Sequence, residues 1–104
     1  MEERVYCYLI INHIGKNNLI KNNDLRKLFN IRSDKSMRKV IQNIREDSSN
    51  YLIVGSISGN KGGFYICHTE DEITETIDNI RHRANQMHRM CHILQNKRKK
   101  MLHE

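Results

Sequence analysis

Apolar positions along the chain follow a helical period first, then a strand period, then a helical one again. Residues 3–14, "ERVYCYLIINHI", are rich in apolar side chains and stop at Gly15, which is followed by "KNN". This stretch reads as a first helix ended by the glycine, although "VYCYLII" alone would also suit a strand. In "NNDLRKLFN", Leu25, Leu28 and Phe29 recur at helical spacing behind Asn23. Asn23 is a suitable N-cap, so a short second helix is expected. After "NIRS", Ser33 can cap a third helix, "DKSMRKVIQNIRED". Within it Met37, Val40, Ile41 and Ile44 fall at i, i+3, i+4 and i+7, a core-facing stripe. Lys35, Lys39, Gln42 and Glu46 lie roughly opposite, flanked by Arg38 and Asn43.

The period then shortens to two. "YLIVGSIS" and "GFYICH" are rich in strand formers and are joined across "GNKGG", which predicts a hairpin with a wide, mobile tip. From Thr69 the pattern is helical again. "TEDE" has the form of a capping box, Thr69 with Glu72, and its acids suit the positive end of a helix dipole. Downstream, Ile73, Ile77, Ile80, Ala84, Met87, Cys91 and Leu94 alternate spacings of four and three, a seam of about three heptads. A helix from 70 to about 100 would be roughly 45 Å long, more than a small domain can cover. That excess predicts a dimerisation element.

Charge sharpens this outline. The 104 residues carry a net charge of +6, which favours polyanionic partners. Residues 16–45 hold nine cations against Asp24 and Asp34, a local excess of seven, where the second and third helices are expected. The last helix divides its charge. Residues 69–80 carry −5 and residues 81–104 carry +6, so an antiparallel pair of such helices would set acid against base. The terminal "KRKK" forms a basic tail over 97–104.

The order of elements, with "NNDLRKLFNIRSDKSMRKVIQNIRED" followed by "YLIVGSISGNKGGFYICHTEDE", resembles a winged helix-turn-helix domain. It is similar in particular to small winged-helix proteins of phages and prophages of low-GC Gram-positive bacteria. The resemblance covers residues 3–72 or so. It implies a mainly α fold with a small β-hairpin (α+β), a winged domain over 1–68 and a long C-terminal helix over 69–102. It also implies a homodimeric, sequence-specific protein of double-stranded DNA, acting in transcription regulation or replication. The third helix would enter the major groove with Lys35, Ser36, Arg38, Lys39 and Gln42 near the bases. Lys61 in the wing would neutralise a backbone phosphate that Gly59, Gly62 and Gly63 allow to approach. Asp34, at the start of the recognition helix, departs from the pattern, because it would face phosphates; on a solvated helix it would pair with Arg38.

Other functions are weighed on the same residues. A protein-interaction module could use this scaffold to inhibit a host or defence nucleic-acid enzyme, leaning on the acidic surface from Glu70 to Asp78. A nonspecific nucleic-acid coat would need only the charge. His88, Cys91 and His92 stand on adjacent helical turns, but Cys91 belongs to the apolar seam and no C-x-x-C or acid cluster accompanies them, so no metal is expected. No nucleophile elbow, P-loop or H-E-x-x-H occurs, so neither an enzyme nor a cofactor is expected. Three scattered cysteines fit a reducing compartment. The absence of a long apolar run or a signal-like leader predicts a cytoplasmic protein that meets no membrane.

Overall fold

Ser33 starts the helix around which the rest assembles. Its backbone is extended and its Oγ accepts from the Ser36 amide at 3.1 Å, so one otherwise orphaned donor is satisfied and the helix begins at Asp34. In the computed structural model, which describes residues 1–103, this helix is α3 (Asp34–Glu46). It follows α1 (Glu2–Asn12), a 3-10 turn at Lys16–Asn18, β1 (Ile20–Lys21) and α2 (Asn22–Phe29). After it come β2 (Val54–Ile57), β3 (Gly63–Ile66) and α4 (Glu70–His103). The strands form one antiparallel sheet in the order β1–β3–β2. The protein is mainly helical, with a small three-stranded sheet and a long C-terminal helix. Among the described residues no helix is long and apolar enough to cross a membrane.

The expected stripe of α3 is wholly buried. Met37, Val40, Ile41 and Ile44 pack with Val5 and Leu9 of α1, Leu25 of α2, and Ile20, Val54, Phe64 and Ile66 of the sheet. Each such side chain withdrawn from water contributes about 1.5–3 kcal/mol, set against the entropy of ordering it. Leu28, expected on the apolar side of α2, is instead 57% exposed, because α2 turns Leu25 and Phe29 inward. Phe29 meets the Tyr8 ring edge-on, with centroids 5.6 Å apart.

Three boundaries differ from the sequence expectation. The first helix ends at Asn12, before Gly15, because residues 13–15 join the sheet. The Ile66 amide donates to the His13 carbonyl and the Gly15 amide to the Ile66 carbonyl, both at 2.8 Å. The same edge of β3 is completed by β1, a strand of two residues that periodicity cannot detect. Asn23 is not the cap of α2, which begins at Asn22 after Lys21 and has no side-chain cap. The Asn22 side chain instead donates to Asp34 Oδ1 at 2.8 Å, tying the start of α2 to the start of α3.

Both faces of β3 are covered. Phe64 and Ile66 point into the core, whereas Tyr65 and Cys67 point to the other face, where α4 lies. Opposite Tyr65 stands Gly55, where any Cβ would collide with the tyrosine ring, so the glycine makes room for it. Thr76 of α4 is 3% exposed, and its Oγ1 lies 3.8 Å from Cys67 Sγ. Burial pushes the Cys67 thiol above its ordinary pKa, which disfavours the thiolate.

The Glu72 amide donates to Thr69 Oγ1 at 3.2 Å, as a capping box requires, while the Glu72 carboxylate is held mainly by other amides. Oε1 accepts from the His68 amide at 2.7 Å and Oε2 from the Lys16 amide at 3.0 Å. The Lys16 ammonium then pairs with Glu75 at 3.0 Å. α4 is thereby latched to the loop after α1.

These amide donors hold the Glu72 carboxyl below its ordinary range. Its folded pKa lies below the unfolded one, so its stabilising contribution is complete above the ordinary glutamate pKa and disappears as pH falls through the depressed value. Glu72→Gln should therefore flatten the acid limb of a melting-temperature profile, leaving the variant and the parent alike at the acid end. Gly63→Ala should lower stability by about 1–3 kcal/mol, measured by urea unfolding, because a Cβ there would strike the Ile20 carbonyl across the β1–β3 pair.

Candidate nucleic-acid interface

Much of the positive charge between residues 16 and 45 has structural employment. Lys16 is held by Glu75. Arg26 braces the turn between α2 and α3: Nε and Nη2 donate to the carbonyls of Ile31 and Arg32, and Nη1 pairs with Asp34 at 3.2 Å. The turn itself depends on Asn30, which takes the left-handed conformation at φ 54° and lets the chain leave α2. Asp34 is therefore engaged by Arg26 and Asn22 and makes no pair with Arg38.

Arg45 is engaged as well. Its Nε and Nη2 donate to the Val54 carbonyl at 2.9 and 2.7 Å, and Nη2 also donates to Ser56 Oγ at 3.1 Å. Val54 belongs to β2, an outer strand of the sheet, so Arg45 satisfies an acceptor on an otherwise open edge. Burial first, then the nearby charge of Arg83, lowers its pKa from the ordinary arginine value.

What remains on the outward side of α3 is a cationic face. Lys35, Ser36, Arg38, Lys39 and Gln42 are all exposed. Among the described residues none of Lys35, Arg38 or Lys39 makes an ion pair within 4.0 Å. Ser36 shares its hydroxyl with Ser33 at 3.0 Å, and the Gln42 amide donates to Glu46 at 2.9 Å.

The β2–β3 loop differs from the wide tip expected. The Gly62 amide donates to the Gly59 carbonyl at 3.0 Å, closing a tight turn that carries Asn60 and exposed Lys61 at its tip. Gly59 adopts φ +98°, which a side chain would strain. Gly62 and Gly63 have a different reason to lack side chains. A Cβ on either would collide with a backbone carbonyl, that of Ile57 or of Ile20, so close strand approach already requires glycine at both positions.

Between α3, this loop and α4 lies an open groove of about 710 Å³. Arg38, Gln42 and Arg45 line it from α3, Ser58 and Gly59 from the loop, and Ile80 and Arg83 from α4. The sequence pattern placed Arg38, Gln42 and Lys61 in one site but gave no reason to single out Arg45 or Arg83. Their signal is three-dimensional, because helices on opposite faces of the sheet bring them together at the open edge of β2.

The heptad seam is divided by the docking of α4. Ile73 is half-buried and Ile80 lines the groove, so both are partly used by the same chain. Ala84, Met87, Cys91 and Leu94 are exposed, Met87 at 70% and Leu94 at 56%, and Ile77 is about half exposed. Among the described residues no three His, Cys, Asp or Glu side chains gather in a metal-binding arrangement.

No protein-family model, curated protein or solved structure matches the chain.

The division between engaged and free cations is measurable without a ligand. Arg45→Met should cost about 1.5–3 kcal/mol in denaturant unfolding, because it removes charged hydrogen bonds from a half-buried edge. Lys35→Ala should stay within about 0.5 kcal/mol of the parent.

Proposed function

We propose that the protein is a winged helix-turn-helix DNA-binding protein that acts as a homodimer, in transcriptional control or as a replication-associated factor. α3 is its recognition helix and enters the major groove; the 59–62 turn is the wing and lies on the sugar-phosphate backbone. The observation that carries the reading is the set of cations on the outward face of α3, which have no carboxylate partner among the described residues, in a protein that engages Lys16, Arg26 and Arg45 internally. Element order supports it too: helix, short strand, helix, turn, helix, then a hairpin whose second strand pairs with the short one.

Each part has a distinct chemical task. Lys35, Arg38 and Lys39 supply charge, and Lys or Arg can also pair with guanine in the major groove. Gln42 can pair with adenine once it leaves Glu46. Lys61 neutralises a phosphate from the tip of its turn, and this contact positions the protein without reading sequence. Met87, Cys91 and Leu94 meet a second copy along the free half of α4. An antiparallel pairing centred there sets Asp78 of one chain toward the basic end of the other.

The test is selection from a random-sequence duplex library at two salt concentrations, with the mass of the bound species recorded. Enrichment of a two-fold motif by a dimer, with affinity falling as salt rises, is the expected result. Lys61→Ala should weaken binding evenly across sequences and reduce the logarithmic salt slope by about one. A folded protein that binds no duplex would overturn the proposal and favour the protein-interaction module. Salt-sensitive binding without enrichment would overturn sequence specificity.

A further inference from the structure

The direction of α4 is fixed by two of its contacts. Thr76 lies against Cys67, just beyond the end of β3. Seven residues later, Arg83 lines the groove beside Ser58 and Gly59, near the start of β3. Seven helical residues rise about 10 Å, which matches about three residues of strand, so α4 runs back along the sheet toward the 59–62 turn. It arrives there with Arg83 facing the groove that Arg38 and Arg45 line from α3.

Three arginines thus line one groove from two helices on opposite faces of the sheet. Among the described residues none of the three has a carboxylate within 4.0 Å. Two acids also border the groove, but Asp34 is held by Arg26 and Asn22, and Glu46 by Gln42. Arg45 is fixed by its backbone and serine acceptors, while Arg38 is exposed and Arg83 is exposed at the other wall. Like charges held together without a counter-charge repel, and an anion seated between them relieves that repulsion. Guanidinium groups suit a phosphate because each can donate two parallel hydrogen bonds.

We propose that this groove seats a backbone phosphate of the nucleic acid between Arg38 of α3 and Arg83 of α4, so that α4 forms part of the binding surface. Arg45, already bonded to β2, supplies charge from behind. This rests on the DNA-binding reading and extends it to a helix whose apolar seam the sequence pattern assigns to dimerisation.

Fluorescence anisotropy with a mixed-sequence duplex, repeated across a salt series, tests it on the full chain. Arg83→Gln keeps size and hydrogen-bonding capacity while removing charge, and circular dichroism checks that it folds. The expected result is roughly fivefold to tenfold weaker binding at low salt and a salt slope smaller by about one. Arg81→Gln, which alters an exposed residue paired with Asp78 at 3.7 Å, should leave the slope at the parent value. If Arg83→Gln binds like the parent while Lys35→Ala and Lys61→Ala weaken binding, α4 is not part of the surface, and the DNA-binding reading stands without it. If the parent itself binds no duplex, both fail.

Discussion

The structure depends most on the burial of β3 from both sides. Phe64 and Ile66 complete the core above α3, while Tyr65 and Cys67 face away from it and need a cover of their own. The first turns of α4 provide that cover. Gly55 makes space for the tyrosine ring, Thr76 closes over Cys67, and the Glu72 carboxylate locks the helix onto two backbone amides. A sheet of three short strands would otherwise leave one apolar face in water, at a cost this small chain could hardly bear. Once α4 lies there its direction is set, and its remaining length must project from the domain. The dimensions of 59 × 32 × 29 Å express that projection.

A second consequence concerns charge. Net positive charge alone says little about what a protein binds. More is learned from which cations the fold itself needs. Arg26 holds the α2–α3 turn, Arg45 closes the edge of β2 and Lys16 anchors α4. Lys35, Arg38 and Lys39 do none of this, and they cluster on one face next to the turn that carries Lys61. Asp34, which would oppose a phosphate there, is neutralised from within by Arg26 and Asn22. The proposed interface is thus the cationic surface left after the structural obligations are met.

Much of this was legible in the sequence where a pattern repeats. The i, i+3, i+4, i+7 stripe of α3, the Ser33 cap, the hairpin and the long last helix all follow from periodicity and capping chemistry. What escaped depends on contacts between distant segments. β1 is too short to have a period, and α1 stops at Asn12 because residues 13–15 bond to Ile66. Asn23 has the chemistry of a cap, yet α2 starts two residues earlier than such a cap would set, with Asn22 already helical and bonded to Asp34. Gly62 and Gly63 suggested room for a ligand, and the structure uses them for close strand approach. Of the candidate interface, the face of α3 and Lys61 could be named from sequence. Arg45 and Arg83 could not, since only the packing of α3 and α4 on opposite faces of the sheet brings them together.

Backbone amide shifts of the isotopically labelled protein, followed by NMR during titration with a duplex at low salt, locate the binding face. A cationic α3–turn interface requires perturbations concentrated on residues 35–42 and 59–62, with α1 and the acidic first turns of α4 unmoved. Shifts confined to α1 or to residues 70–78, or none at all at saturating duplex, would contradict it.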